Sequence, residues 1–201
     1  MTITAAEEDP PAAAGEDVAA LRREIAELRA ELARVNDRLA EAEGLADRDA
    51  LTPLLNRRAF MRELARAQAY AERYGGCLSV VYFDLDGLKA INDRFGHAAG
   101  DAALTAVADR LAAHVRASDT VGRIGGDEFA VALAQTNGFQ AEAKAQSLAE
   151  AVEAEPIEGF SPAVRARLSW GVAEVALGLE AEAAIALADA AMYAARRARR
   201  R

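Results

Sequence analysis

Apolar residues near the start of this chain of 201 residues recur in alternating steps of three and four. Such a seven-residue repeat puts one narrow apolar stripe along a helix, which is typical of a coiled coil. The stripe comprises Val18, Leu21, Ile25, Leu28, Leu32, Val35 and Leu39. A single amphipathic helix lying on a globular domain, the alternative, usually has a wider stripe. We therefore expect residues 17–43 to form a parallel coiled coil that makes the protein a homodimer.

The charges beside this stripe agree with a parallel pair of helices. In that arrangement Glu24 of one helix would face Arg29 of the other. Residues 1–16 are acidic and rich in alanine and proline, which predicts a disordered leader. We expect residues 44–48 to form a joint and residues 49–201 to form a single globular domain.

The remaining pattern alternates strands and helices. A continuous apolar run at residues 77–83 is typical of a central strand covered on both faces. Gly125 and Gly126 indicate a hairpin, since glycine tolerates the positive φ of tight turns. In chain order we expect a turn at 49–56, helices near 60–74, 89–95 and 104–115, strands at 120–124 and 128–133, a helix at 140–153, a strand at 164–175 and a helix from 181. This order predicts an α+β fold with helices covering a mostly antiparallel sheet.

Composition narrows the classes of function. Alanine supplies 52 residues, so the hydrophobic share of 52% overstates the core and favours helix. A net charge of −8 argues against a nucleic acid or an anionic membrane as partner. A single cysteine, Cys77, excludes an internal disulfide. The first residues have neither the basic nor the apolar region typical of a signal peptide, and no apolar stretch approaches membrane-spanning length. We expect a cytoplasmic protein.

Acidic residues end one predicted strand and begin another. Asp84 and Asp86 follow the central strand, and Asp127 and Glu128 follow the hairpin glycines. Either pair alone could be a solvated strand end or an acidic turn. In a sheet of this order, however, the two strands lie antiparallel and bring Asp84 beside Asp127 and Glu128. Such acids repel one another unless cations lie between them, and oxygen ligands favour Mg²⁺ or Mn²⁺. The arrangement predicts phosphoryl or nucleotidyl transfer.

Three motifs together carry a family resemblance. DALTPLLNRRAF, FDLDGLKAINDRFGHAAGD and RIGGDEF occur in order over about residues 47–200 and resemble the GGDEF family of diguanylate cyclases. The resemblance implies a palm-like fold with a ferredoxin-like core, as in nucleotide cyclases, and a catalytic domain at residues 49–201. It also implies a Mg²⁺-dependent enzyme that condenses two GTP molecules into cyclic di-GMP and releases two pyrophosphates as a dimer. A catalytically weak domain that senses cyclic di-GMP or GTP, or acts as a scaffold, is the alternative.

The resemblance assigns roles around the acidic cluster. Asp84 and Asp127 would bind the metal with the carbonyl of Leu85, and Glu128 would support that site. Asp127 would also accept the proton of the 3′-hydroxyl group. Lys89, one of only two lysines, would stabilise charge on the triphosphate, although a solvated helix lysine is the alternative.

Further roles lie outside that cluster. Asn92 and Asp101 would read guanine, although Asp101 alone could be a helix cap. Arg116 and Asp119 match the family's RxxD product-inhibitory site, or form a local pair at a helix end. The following helix offers only Lys144 in place of a second inhibitory arginine.

Charged residues at the two ends of the domain also have expected roles. Arg196 stands where the family commonly has a phosphate-binding lysine, with Arg200 one helical turn later on the same face. Cations at the end of a helix also have a purely structural explanation, because they favour its carboxyl end. In the first motif, we expect Asp49 and Arg57 to hold the entry turn by an ion pair.

Overall fold

The computed structural model of the chain describes residues 21–22, 24–32, 34–35, 47–158, 161, 163–176 and 178–199. The chain divides into two units, residues 1–46 and 47–201. The described residues of the first unit are helical, and we call them α1. The predicted leader, both ends of the predicted coiled coil and most of the joint lie outside the described residues. On α1 the apolar stripe is exposed: Leu21, Ile25, Leu28, Leu32 and Val35.

A five-stranded sheet forms the centre of the second unit. Its spatial order is β1-β3-β4-β2-β5, with β1 parallel to β3 and the other neighbours antiparallel. The strands are β1 (Leu55–Asn56), β2 (Leu78–Leu85), β3 (Thr120–Arg123), β4 (Glu128–Ala134) and β5 (Leu168–Glu174). The apolar run therefore forms the strand between β4 and β5, as the sequence predicts.

Five helices surround this sheet. They are α2 (Arg57–Tyr74), α3 (Leu88–Phe95), α4 (His97–Ala113), α5 (Gly138–Ala154) and α6 (Ala181–Arg199). Asn56 caps α2 by accepting a hydrogen bond from the amide of Ala59, and the positive φ of Gly75 and Gly76 ends that helix. At α5, Asn137 and Gln140 form a reciprocal capping box.

Alternate residues of β2 supply two cores on opposite faces of the sheet. Val81 and Phe83 pack with apolar residues of α4 and α5. Val80 and Tyr82 pack with α2 and α6. Because side chains alternate along a strand, Asp84 lies on the same face of the sheet as Val80 and Tyr82, which α2 and α6 cover. The predicted α+β architecture with covering helices is confirmed.

The hairpin is confirmed, but its explanation from glycine was wrong. Among the described residues, positive φ angles occur at Gln135, Gly75, Gly76, Gly87, Gly96 and Gly178, and not at the hairpin glycines. Instead, the side chain of Glu128 lies so close to Gly125 that a Cβ there would collide with its carboxylate. The first glycine of the turn therefore provides room for Glu128.

The expected ion pair of Asp49 with Arg57 is wrong. Asp49 pairs with Arg123 at 3.0 Å and also accepts hydrogen bonds from the amide and hydroxyl of Thr52. Arg57 donates to the carbonyl of Ile124 instead. Burial raises the pKa of Asp49, but the hydrogen bonds from Thr52 and Arg123 outweigh it, so the pKa lies below its ordinary value. Asp49 thus ties the entry turn to β3.

Replacing Asp49 with alanine should lower the free energy of unfolding by about 2–3 kcal/mol, because Arg123 and the turn amides lose a charged acceptor. Asp49→Asn, which keeps an acceptor for the turn, should cost less. Since the folded pKa is depressed, the stabilisation is complete above the ordinary value of 3.8 and is lost as pH falls through the folded pKa. Urea unfolding at several pH values measures this. Equal losses at pH 7 and below the folded pKa would contradict it.

Candidate functional site

The carboxyl end of β2 brings the predicted acids together. Asp84 is half-buried and lies in register between Glu128 of β4 and Ser169 of β5. The amide of Leu85 donates a hydrogen bond of 2.9 Å to the carbonyl of Asp127. The antiparallel pairing of β2 and β4 therefore produces the cluster that the sequence predicts.

The charges in this cluster repel one another. The pKa of Asp84 is raised first by burial and then by the negative charge of Asp127, with a smaller contribution from Asp86. Arg196 opposes these effects. A cation beside Asp84 therefore stabilises its ionised form.

Arg196 occupies that position in the structure. Its Nη1 lies 2.8 Å from Oδ1 of Asp84, and its Nη2 lies 2.7 Å from Oδ1 of Asp86. The sequence singles out Arg196 for phosphate, and the structure brings the same guanidinium to the acids of the strand end. Arg200, its expected companion, lies outside the described residues.

Glu128 is held beneath the hairpin. Its carboxylate lies near the hydroxyl of Tyr82, and burial first and then this carboxylate raise the pKa of Tyr82 far above its ordinary value. The same carboxylate packs against Gly125. Glu128 is thus tied to the core of the α2 and α6 face.

Lys89 lies in the first turn of α3 and is exposed. Gly87, with a φ of 81°, precedes that turn and directs the chain from β2 into the helix. Within the described part of the chain, the structure gives Lys89 no hydrogen bond or ion pair.

Asn92 and Asp101 stand on adjoining helices. Asn92 packs against Gly100, where an added Cβ would lie 2.0 Å from its side-chain oxygen. Among the described residues, that oxygen is the one buried side-chain nitrogen or oxygen atom without a hydrogen-bond partner. Asp101 is exposed and lies within α4, which begins at His97, so its alternative interpretation as a helix cap is wrong.

Arg116 and Asp119 line a cleft away from the acidic cluster. The amide of Arg116 donates to the carboxylate of Asp119 at 3.0 Å, which fixes the local turn. The cleft, of about 170 Å³, also includes Gln140 and Lys144. Lys144 donates to the carbonyl of His114 at the end of α4. The structure therefore brings Lys144 into the cleft of the RxxD motif.

Two residues that shape the acidic cluster were not predicted from the sequence. Ser169 hydrogen-bonds Asp86, and Gly171 lets the backbone of α6 approach β5 closely. A glycine inside a strand is a known signal of close backbone approach, so Gly171 was identifiable. Ser169 carries no comparable signal.

The described residues contain no group of three histidine, cysteine or acidic side chains that could hold a metal ion. Two carboxylates close enough to repel one another, Asp84 and Asp127, are present instead. Within the same described ranges, no helix has the length and apolarity required to cross a membrane.

Comparisons with known proteins agree with this geometry. A family model described as "Diguanylate cyclase, GGDEF domain" matches residues 46–201. Diguanylate cyclase TpbB of Pseudomonas aeruginosa is 39% identical over 185 residues, which cover 91% of this chain and 42% of TpbB. Diguanylate cyclase DosC of Escherichia coli K12 is 37% identical over 150 residues, which cover 74% of this chain and 33% of DosC. The chain thus spans less than half the length of either relative.

A solved structure is similar over nearly the whole chain. It contains the coiled coil and GGDEF domain of DgcB from Caulobacter crescentus in complex with c-di-GMP. The TM-score is 0.76 at 29% identity, and the match covers 89% of this chain and 95% of that one. The family model and the strand-end acids lead to the same conclusion: this chain belongs to the GGDEF-domain family of diguanylate cyclases.

Proposed function

We propose that this protein is a diguanylate cyclase that condenses two GTP molecules into cyclic di-GMP and releases two pyrophosphates in the cytoplasm. The carrying observation is the pair of repelling carboxylates, Asp84 and Asp127, at the end of β2 in a chain of this family. Two acids at this point suit a site that binds cations and triphosphates.

The donor set fits Mg²⁺ or Mn²⁺. Asp84, Asp127 and the carbonyl of Leu85 offer only oxygen, which hard divalent cations prefer. When bound, such a cation would offset negative charge on the triphosphate. With just two acidic ligands proposed, phosphate oxygens or water would complete its coordination.

Side chains around the cluster would orient and activate the nucleotide. Asp127 would accept the proton of the attacking 3′-hydroxyl group, and Glu128, which lies near the hydroxyl of Tyr82, would support the metal site. Lys89, exposed and without a described partner, would contact the triphosphate. Arg196 would exchange carboxylate for phosphate, since both accept two hydrogen bonds from a guanidinium.

Guanine would bind between α3 and α4. The buried side-chain oxygen of Asn92 has no described partner, so a ligand N–H would satisfy it. Asp101 could accept hydrogen bonds from N1–H and the 2-amino group, which adenine lacks. This pairing supports GTP over ATP.

A parallel dimer would join two such domains. Each domain would bind one GTP and present its 3′-hydroxyl to the other's α-phosphate. The exposed apolar stripe of α1 supports this association through residues 17–43. The twofold axis of the coil would raise the effective concentration of the second half-site.

Deleting residues 1–46 should make specific activity depend on protein concentration. Well below the dissociation constant of the truncated dimer, each tenfold dilution should lower it about tenfold, because the dimer fraction then falls with concentration. Full-length Leu28→Glu should behave similarly, whereas Ala26→Glu places the same charge off the stripe and should not. Pyrophosphate release at serial dilutions measures this. Unchanged specific activity of the truncated protein at high dilution would contradict the proposed role of the coil.

The Arg116 and Asp119 cleft would bind the product. Lys144 lies in the same cleft and offers a second cation, although its ammonium cannot match the two-pronged contact of an arginine. Product inhibition is therefore expected to be weak. This cleft also supports the alternative function, a domain that senses cyclic di-GMP without turnover.

Incubation of purified protein with GTP and Mg²⁺, followed by nucleotide chromatography, tests the main proposal. Cyclic di-GMP and two equivalents of pyrophosphate are expected. Stoichiometric binding of cyclic di-GMP with no pyrophosphate release would favour the sensor. Absence of cyclic di-GMP with either metal and at all protein concentrations would contradict the enzyme assignment.

A further inference from the structure

Arg196 is shared between two carboxylates that differ in their proposed roles. Asp84 belongs to the proposed metal site, whereas Asp86, two residues later, is not among the proposed metal or nucleotide ligands. The guanidinium contacts each through a different nitrogen, at 2.8 Å and 2.7 Å. A cation that binds the carboxylate of Asp84 would break the contact of Arg196 with Asp84 and leave its contact with Asp86.

Asp86 is fixed from its other side. The hydroxyl of Ser169, which is 5% exposed, lies 2.9 Å and 3.1 Å from the two carboxylate oxygens of Asp86. The amide of Asp86 donates to the carbonyl of Arg167 at 2.9 Å. Side chain and backbone are therefore both anchored to the start of β5. An anchored carboxylate presents a fixed acceptor and loses little freedom when it binds a guanidinium.

The helix that carries Arg196, α6, packs closely against β5. At Gly171, the backbone nitrogen of Met192 lies 2.1 Å from the position that a Cβ would occupy. Arg196 follows Met192 by one turn on the same side of α6. Asp86 follows β2 and is anchored to the start of β5, and Arg196 lies on α6. Because α6 packs directly on β5, the two side chains are brought together from closely packed elements.

We propose that Asp86, oriented by Ser169, is a positioning residue for Arg196. When a cation binds Asp84, Asp86 would keep the guanidinium of Arg196 beside the end of β2, where it remains available to the triphosphate. The inference rests on the proposed function, since it takes GTP as the ligand. A purely structural salt bridge is the competing explanation. The two differ in whether the effect of Asp86 on nucleotide affinity requires Arg196.

A double-mutant cycle on nucleotide affinity distinguishes them. The probe is 3′-deoxy-GTP with Mg²⁺, which lacks the attacking hydroxyl, so calorimetry measures binding without turnover. Asp86→Asn and Arg196→Gln should each weaken binding about tenfold. The double variant should bind no worse than Arg196→Gln alone. Asp109→Asn removes the same charge from an exposed position on α4 and should bind as the wild type does.

Ser169→Ala is a second variant that keeps the charges of Asp86 and Arg196. It replaces Asp86→Asn in the experiment if that variant does not fold. It should weaken binding about threefold, and only while Arg196 is present. Wild-type affinity in Asp86→Asn, or in Ser169→Ala where that variant replaces it, would overturn the inference. Equal losses with and without Arg196 would also overturn it, as would a wild type that does not bind the probe. A protein that shows the expected cycle but makes no cyclic di-GMP would refute the proposed function alone.

Discussion

Replacing Asp127 with asparagine is expected to lower cyclic di-GMP formation about a thousandfold or more, because the change removes both a metal ligand and a proton acceptor. Asp127 lies in the hairpin turn between β3 and β4, and its carbonyl accepts a hydrogen bond from the amide of Leu85. That backbone contact is unaffected by the substitution. Loss of activity should therefore occur without loss of the fold.

Nucleotide chromatography after incubation with GTP and Mg²⁺ measures the rate, and thermal unfolding reports the fold. Asp109→Asn, with the same loss of charge at an exposed position, is the matched control and should keep wild-type activity. An Asp127→Asn variant within tenfold of the wild-type rate would refute the assigned role. Full function of that variant in cells would favour a scaffold.

The central strand and its acids were predictable because two independent patterns coincide there. A continuous apolar run predicts a strand covered on both faces, and β2 indeed supplies both cores. The order of elements then brings Asp84 and Asp127 to one end of the sheet. This inference needs topology alone, and no side-chain conformation.

The partners of arginine were much harder to predict. Asp49 was expected to pair with nearby Arg57, yet its partner, Arg123, is 74 residues distant along the chain. Several arginines are chemically equivalent, so sequence proximity was the only guide. Likewise, the family resemblance, together with helical spacing, singled out Arg196 for phosphate, but carboxylate and phosphate present the same target to a guanidinium. Only the packing of α6 on β5 brings Asp84 and Asp86 to it.

The two-residue strand β1 was missed for a different reason. Leu55–Asn56 has no alternation that could be recognised at that length, and Asn56 also caps α2. Its pairing with β3 follows from the entry turn, which Asp49 ties to Arg123. A contact set by one long-range ion pair leaves no periodic signal in the sequence.

Gly171→Ala is expected to lower the free energy of unfolding by about 3 kcal/mol or more, because overpacking at this position cannot be relieved by a side chain. The added Cβ would lie 2.1 Å from the backbone nitrogen of Met192 and 2.3 Å from the backbone carbonyl oxygen of Ala188. Only a shift of α6 away from β5 makes room. That shift would also draw Arg196 away from Asp86.

Urea unfolding measures the loss, and Gly138→Ala is the control, since its Cβ would meet side-chain atoms of Glu174 alone, at 3.1 Å and 3.8 Å. The control should stay within about 0.5 kcal/mol of the wild type. Met192→Ala should not rescue Gly171→Ala, because the clash involves backbone atoms. Rescue by Met192→Ala would show that α6 is free to move, contrary to the close backbone packing on which the position of Arg196 depends.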